Sequence, residues 1–240
     1  MFASDSKTAA KQFRFLAEAT AWRFRSAGRF VHGFVLGKLR HDPVYRALLV
    51  RDILPADRLI LDLGCGRGIL LALLATARTL GMTPGGKRAT GLHLCGVERR
   101  AADADAARTA LGSETEILTG DVRTADLPPC RAVILLDVLL YLREEEQDAL
   151  LVKIANCLET GGRLIVREAD AGSGWRFTAT WVAERCCALA RGQWKQKYCY
   201  RSAAQWREKL ESLGFVVEVQ PMSEGTPFAN VLFVGRLKPR

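Results

Sequence analysis

The sequence predicts an α/β fold built on a doubly wound parallel sheet, and three observations carry that expectation. From Leu59 to Gly68 the chain reads LILDLGCGRG, an apolar run that breaks into glycine at alternate positions before helical periodicity resumes in ILLALLATARTL. Beyond it, strand-like apolar runs alternate with helix-length segments, the order that builds a parallel sheet covered on both faces. The third observation is a set of acids. Asp62, Glu98, Asp121, Asp137 and Glu168 stand at or just past the ends of five successive strand-like runs. In open α/β sheets, ligands bind outside the carboxyl ends of the strands, so five acids there outline a rim.

Bulk properties set the frame. A chain of 240 residues, 49% apolar and 25% charged, suits one α/β domain with additions. Net charge is +9 and unevenly spread. Residues 1–51 hold ten Lys/Arg against three Asp/Glu, residues 171–209 hold eight against two, and the remainder is acidic. Basicity in two segments can attract nucleic acid, anionic lipid or an acidic carrier protein, or can be solvated surface. The start lacks the apolar stretch of a secretory signal. Seven cysteines, most of them in apolar runs, read as reduced thiols of a cytoplasmic protein. Adjacent Cys186 and Cys187 and only three histidines give no zinc-ligand spacing, so no metal site is expected. No apolar run reaches the ~20 residues that span a bilayer.

Taken in order, residues 7–54 look helical. Phe13, Leu16, Ala17 and Thr20 fall at helical spacing, and WRFRSAGRFVHGFVLGKLR follows, basic and aromatic. Gly28, Gly33 and Gly37 weaken that second part as one continuous helix. Asp42-Pro43 reads as the cap and first turn of VYRALLVRDIL. This N-terminal part, residues 1–56, is either a cap or packing element, or an interfacial segment touching lipid through Trp22, Phe24, Phe30 and Phe34. The interrupting glycines favour the first over the second.

Strand one is Leu59–Leu63, and its helix runs to about Leu80. GMTPGGKRATG (81–91) is turn-rich. LHLCGVE is the second strand, RRAADADAARTAL the helix after it, and TEILTGD the third strand. RAVILLDVLLYL carries the fourth strand, ending at Asp137, with the two-face burial of a central position. A helix over 144–159 leads to the fifth strand, RLIVREA. Alternation stops after Glu168. Residues 172–200 form a Trp-rich, basic insert, then a helix opens at Ser202. FVVEVQPM and FANVLFVGRLK close the chain as an antiparallel pair.

LDLGCGRG, GVE, TGDV and ILLDVLLYL, in that order and followed by the terminal strand pair, resemble the motifs of class I S-adenosylmethionine-dependent methyltransferases over roughly residues 57–238. That resemblance implies a three-layer, Rossmann-like sheet of seven strands in the order 3-2-1-4-5-7-6, the last antiparallel, with residues 57–240 as the methyltransferase domain. It implies S-adenosylmethionine as cofactor. Gly64, Cys65, Gly66 and Gly68 would let backbone approach the methionine and ribose portion. Asp62 would orient that turn or meet the ammonium through water, and Glu98 would accept the ribose hydroxyls. Asp121 and Val122 would bracket the adenine, and Asp137, Val138 and Tyr141 would line the passage to the acceptor. Glu98 lies thirty residues after Gly68, where about twenty is usual, and the 81–91 loop accounts for the excess. A nicotinamide-binding fold is disfavoured by the glycine spacing, G-x-G-x-G rather than G-x-G-x-x-G.

The acceptor is read less directly. Asp137-Val-Leu-Leu-Tyr lacks the Asn-Pro-Pro-Tyr-like motif of base-methylating enzymes, which points to a small molecule. Tyr141 and Glu168 are the candidates for a base, with His32 and His41 behind them, should the acceptor need one. Trp175, Phe177, Trp181, Trp194 and Tyr198 offer flat walls within the insert, beside Arg176, Arg185, Arg191, Lys195 and Lys197. A flat aromatic or conjugated acceptor, alone or held on an acyl carrier protein, fits that mixture. DVLLYL, READ-x-GSGWRFT and HDPVYRALL are similar to methyltransferases of bacterial aryl polyene or xanthomonadin-type pigment pathways. A nucleic-acid methyltransferase and a non-catalytic cofactor-binding protein remain as alternatives.

Overall fold

The computed structural model describes residues 6–51, 53–55, 58–82 and 91–239. Residues 83–90 of the turn-rich loop and the expected domain boundary at 56–57 lie outside the described residues. Seven strands hydrogen-bond in the order β3-β2-β1-β4-β5-β7-β6. They are β1 (Arg58–Leu63), β2 (Leu92–Glu98), β3 (Glu116–Thr119), β4 (Cys130–Leu136), β5 (Leu158–Ala169), β6 (Phe215–Pro221) and β7 (Asn230–Leu237). β1 pairs in parallel with β2 and β4, and β2 with β3. β7 runs antiparallel to both β5 and β6, as the short SEGTP connection requires of its two flanking strands. The expected fold class, strand order and antiparallel last strand are those observed.

The chain divides into two compact units, Met1–Ile134 and Leu135–Arg240. In the first, α4 (Ile69–Thr79) is buried on every side from Ile69 to Ala77, which is why its sequence is apolar all round. One neighbour that covers it is the first N-terminal helix, α1 (Ser6–Trp22), whose Leu16, Ala17 and Ala21 are wholly buried. Arg23 fastens that arrangement. Its Nε donates to Thr76 Oγ1 at 2.9 Å and its guanidinium pairs with Glu114 at 3.1 Å.

The glycine-rich segment that follows α1 breaks only once. Gly28 (φ 98°) separates a short turn at Arg25–Ala27 from α2 (Arg29–His41). Gly33 and Gly37 sit inside α2 without ending it, because Val35 and Leu39 anchor the opposite face. Tertiary packing outweighs the ~1 kcal/mol that an interior glycine costs a helix. Asp42 then caps α3 (Pro43–Val50), its carboxylate accepting the Val44 N–H at 3.2 Å with Pro43 in the first turn. α5 (Ala101–Leu111) follows β2 and closes the unit's helix layer.

In the second unit, α6 (Glu144–Cys157) precedes β5, which begins five residues earlier than the sequence suggests and takes in Gly161 and Gly162. The Trp-rich insert is a helix, α7 (Trp175–Ala190), followed by an irregular stretch. Ser202 and Gln205 form a reciprocal capping box at α8 (Ala203–Ser212). Trp206 and Leu210 of α8 are buried beneath β6 and β7.

Candidate functional site

The first unit gathers Asp62, Gly64, Cys65, Gly66, Gly68, Glu98, Asp121 and Val122 around the ends of β1, β2 and β3. The turn after β1 is bent by three glycines with left-handed φ, 76° at Gly64, 55° at Gly66 and 72° at Gly68. A residue with a Cβ is strained there, and that is the physical content of the alternate spacing. The three differ in what surrounds them. A Cβ on Gly68 would lie 3.0 Å from both Ala107 Cβ and Leu111 Cδ1, so this glycine lets α5 close onto the turn. A Cβ on Gly66 would meet nothing within 4 Å, so its backbone borders open space.

The turn is tied to β2 from two sides. Gly64 and Cys65 both donate their N–H to Val97 O, at 2.7 and 3.1 Å. Glu98 reaches back: its Oε2 accepts the Gly66 N–H at 2.9 Å and its Oε1 the Arg100 N–H at 2.8 Å. The carboxylate at the second strand tip is thereby fixed against the open side of the glycine turn. Gly96, inside β2, was not singled out by its sequence context. A Cβ there would fall 2.7 Å from Cys65 Sγ and 2.7 Å from Leu71 Cδ1, so only glycine lets the turn seat on the strand. The signal available was a glycine interrupting an apolar strand, a mark of close approach.

Asp62 is buried beneath this turn, and burial, helped by the neighbouring Glu98 charge, raises its carboxyl to about 7. Cys65 is shifted upward more strongly by burial and by the same two acids, which leaves an unreactive thiol. Asp121 differs from both. Arg123 chelates it through Nε at 2.9 Å and a terminal nitrogen at 2.6 Å, and the Arg123 N–H adds a third bond at 3.0 Å. These contacts lower its carboxyl to about 2. Arg123 was not singled out from the sequence. Val122 beside it is buried.

Asp137, Val138, Tyr141 and Glu168 belong to the second unit. The turn after β4 is clamped by two successive residues of β5. Arg167, wholly buried, pairs with Asp137 through its Nε at 2.9 Å and through a terminal nitrogen. Asp137 itself is held at φ 58°, a left-handed conformation that Asp tolerates better than most side chains. Glu168 Oε1 accepts the N–H groups of Val138 at 3.1 Å and Leu139 at 2.7 Å. Burial and the nearby Asp137 charge nevertheless raise Glu168 to about 8, against the lowering effect of those backbone donors. An Arg-Glu pair inside an otherwise apolar strand was the sequence signal for this clamp, and only its Glu was read.

Tyr141 starts an aromatic cluster. Its ring lies 5.7 Å from Tyr198, Tyr198 lies 5.9 Å from Tyr200, and Phe177 meets Tyr200 edge-on at 5.0 Å. Tyr141 Oη donates to Glu184 Oε2 at 3.3 Å, and Tyr198 Oη donates to Glu184 O at 3.0 Å. Burial and the Glu184 charge push the Tyr141 phenol upward, so it stays protonated at neutral pH. Of the predicted aromatic walls, Phe177 and Tyr198 join this cluster. Trp175, Trp181 and Trp194 instead face solvent, with Arg176 and Arg185 over the rings of Trp175 and Trp181. Among the described residues, no three His, Cys, Asp or Glu side chains are grouped to hold a metal ion.

A family model for the methyltransferase domain matches residues 37–220. The chain belongs to that methyltransferase family. Membership carries the enzyme class and S-adenosylmethionine as methyl donor, as the motif resemblance implied. The glycine turn fits the donor: open backbone at Gly66, a fixed carboxylate at Glu98 and a second, buried one at Asp62 are what a cationic nucleoside requires. This methyltransferase is similar to carboxy-S-adenosyl-L-methionine synthase of Mannheimia succiniciproducens, 34% identical over 126 residues. That match spans 50% of this chain and 48% of the synthase, so the chain spans about half the length of the curated relative it matches. In fold it is similar to magnesium protoporphyrin IX methyltransferase of Synechocystis PCC 6803 with bound S-adenosylhomocysteine. The TM-score is 0.60 at 20% identity, covering 98% of this chain and 100% of that one. Human N-acetylserotonin methyltransferase, in complex with S-adenosylmethionine, gives a TM-score of 0.59 at 18% identity, covering 99% of this chain and 60% of that one.

Proposed function

We propose that this methyltransferase transfers the methyl group of S-adenosylmethionine to a hydroxyl or other nucleophile on a small aromatic, polyene or acyl compound, of the kind found in pigment-type secondary metabolism. The observation that carries the small-molecule reading is the turn after β4. It places Tyr141 in an aromatic cluster with Tyr198, Tyr200 and Phe177, where a flat ring can stack. When bound, the cofactor supplies a methyl already activated on its sulfonium, so the protein's task is in-line positioning and exclusion of water.

In this reading the residues divide the work by position. Glu98 takes the ribose hydroxyls on the lone pairs left by the Gly66 and Arg100 N–H groups. Asp62 faces the ammonium end, where a cation would favour its ionised form. Asp121, kept ionised by Arg123, and Val122 flank the adenine. Asp137 and Val138 border the reacting end, held in place by Arg167 and Glu168. Glu168 acts as a positioning residue, because its Oε1 already receives two backbone donors. A proton leaving an acceptor hydroxyl would pass to the Tyr141 oxygen as Tyr141 hands its own to Glu184. The net positive charge of residues 171–209, which include α7, suits an acceptor carried on an acidic acyl carrier protein.

The deciding experiment supplies labelled S-adenosylmethionine and purified protein to cell extracts, with and without nuclease treatment. Label is expected in a small-molecule or carrier-bound fraction that survives nuclease. Label that disappears with the nucleic acid would assign the basic segments to a phosphate track and remove the small-molecule reading.

A further inference from the structure

The exposed face of α2 is not used by the fold or by the cofactor cradle. Helical geometry turns each residue by 100°, so Phe30, Phe34 and Gly37 share one face, opposite buried Val35 and Leu39. Phe30 is 83% exposed and Phe34 47% exposed, a ridge of two phenyl rings standing in solvent. Arg29 and Arg40 border it on one side and Lys38 on the other, with His41 on the same face at the end of the helix. No Asp or Glu occurs in α2. Just before it, Trp22 is 58% exposed, with Arg25 over its ring at 4.2 Å and His32 edge-on at 6.4 Å. Gly33, on the same face as the phenyl rings, presents no side chain beside them, and a Cβ there would meet nothing within 4 Å.

We propose that this face docks on an anionic lipid surface, the two phenylalanines entering the acyl boundary and the surrounding cations meeting head-group phosphates. The chemistry is that of an interfacial helix: a narrow aromatic edge with a cationic border, in which Arg40 is paired with Glu18 of α1 at 2.6 Å while Arg29 and Lys38 lie beside the rings. The charge pattern also selects among occupants. A second copy packed on this face about a two-fold axis would bring Arg29 and Lys38 of one copy against the same cations of the other, like charges juxtaposed. Anionic lipid complements them. α2 can bear such a load because α1 supports its inner face and is itself packed on α4. No described helix is long and apolar enough to cross a membrane, so the contact is peripheral.

Vesicle co-sedimentation tests this with the full chain, freed of nucleic acid, against phosphatidylcholine vesicles and against phosphatidylcholine–phosphatidylglycerol vesicles. Binding is expected to the anionic vesicles and to weaken as salt is raised. Phe30→Ser with Phe34→Ser, both surface positions, should lower partitioning at least about tenfold while leaving the circular dichroism spectrum unchanged. Arg25→Glu with Arg29→Glu should abolish the preference for anionic lipid. Three outcomes would overturn the proposal: no sedimentation with anionic vesicles, equal binding to both compositions, or serine variants that bind like the native chain. A native dimer, seen by light scattering, that the serine pair converts to monomer would also overturn it, by assigning the face to a second copy.

Discussion

Gly66 and Gly68 look alike in the sequence and are held to glycine for different reasons. Both have left-handed φ, which costs any residue with a Cβ about 1–2 kcal/mol. Only at Gly68 does that Cβ also collide, with Ala107 and Leu111. Gly68→Ala should therefore lower the thermal unfolding midpoint more than Gly66→Ala, whose main effect should be on S-adenosylmethionine affinity. Equal destabilisation in a calorimetric comparison would contradict the packing account. Asp62 carries a second residue-scale expectation. Its folded carboxyl titrates near 7 against an ordinary 3.8, so the folded state holds that proton more tightly than the unfolded one. The protonated group's contribution is whole below about pH 4 and is lost as pH rises toward 7. Asp62→Asn removes that titration. Denaturant unfolding across this range should show a flatter pH dependence for the variant than for the native chain, and an identical slope would exclude Asp62 as its source.

At the scale of elements, the fifth strand does more than complete the sheet. Arg167 and Glu168, adjacent in β5 and both buried, hold the turn after β4 through Asp137 in one case and two backbone N–H groups in the other. Arg167→Met would leave Asp137 without its buried cation; because the Asp137 side chain is 31% exposed, the cost should fall below the about 3–5 kcal/mol of a fully buried pair. Chemical denaturation should register that loss, together with a lower turnover from a displaced Tyr141; a variant as stable as the native chain would mean that the turn holds itself. α2 makes the complementary point. Its glycines predict a broken helix by propensity, yet packing of Val35 and Leu39 carries the helix through Gly33 and Gly37. Those same glycines clear the flanks of an exposed aromatic ridge.

Across the whole molecule, cofactor binding should appear as stability. A ligand at a hundred times its Kd stabilises the folded state by about 2.7 kcal/mol. S-adenosylmethionine at saturating concentration should raise the unfolding midpoint of the native chain, and Glu98→Ala should lose most of that rise at the same concentration. A variant that retains the full shift would place the ribose elsewhere. Charge is distributed at this scale too. Residues 1–51 and 171–209 carry more than the whole net +9, against an acidic remainder to which Asp62, Glu98 and Asp121 belong. A cationic donor and an anionic surface are thus drawn to different parts of one chain.

Element types, their order, the glycine turn and the strand-end acids were all legible in the sequence, because each is written in local pattern. Apolar period, glycine at left-handed positions and an acid after a strand depend on neighbours a few residues away. The strand order was not written locally: it was expected from the resemblance of the ordered motifs to a methyltransferase family, and the sheet shows that order. What those acids do could not be read locally. Asp62 near pH 7, Asp121 chelated by Arg123, Glu168 spent on a turn and Asp137 locked by Arg167 are four different states of one functional group. Burial and through-space partners set them, and both exist only once distant segments meet. The same holds for Gly96, whose missing side chain makes room for a cysteine thirty-one residues away. A carboxylate's identity is a property of sequence, whereas its charge and its hydrogen bonds are properties of the fold.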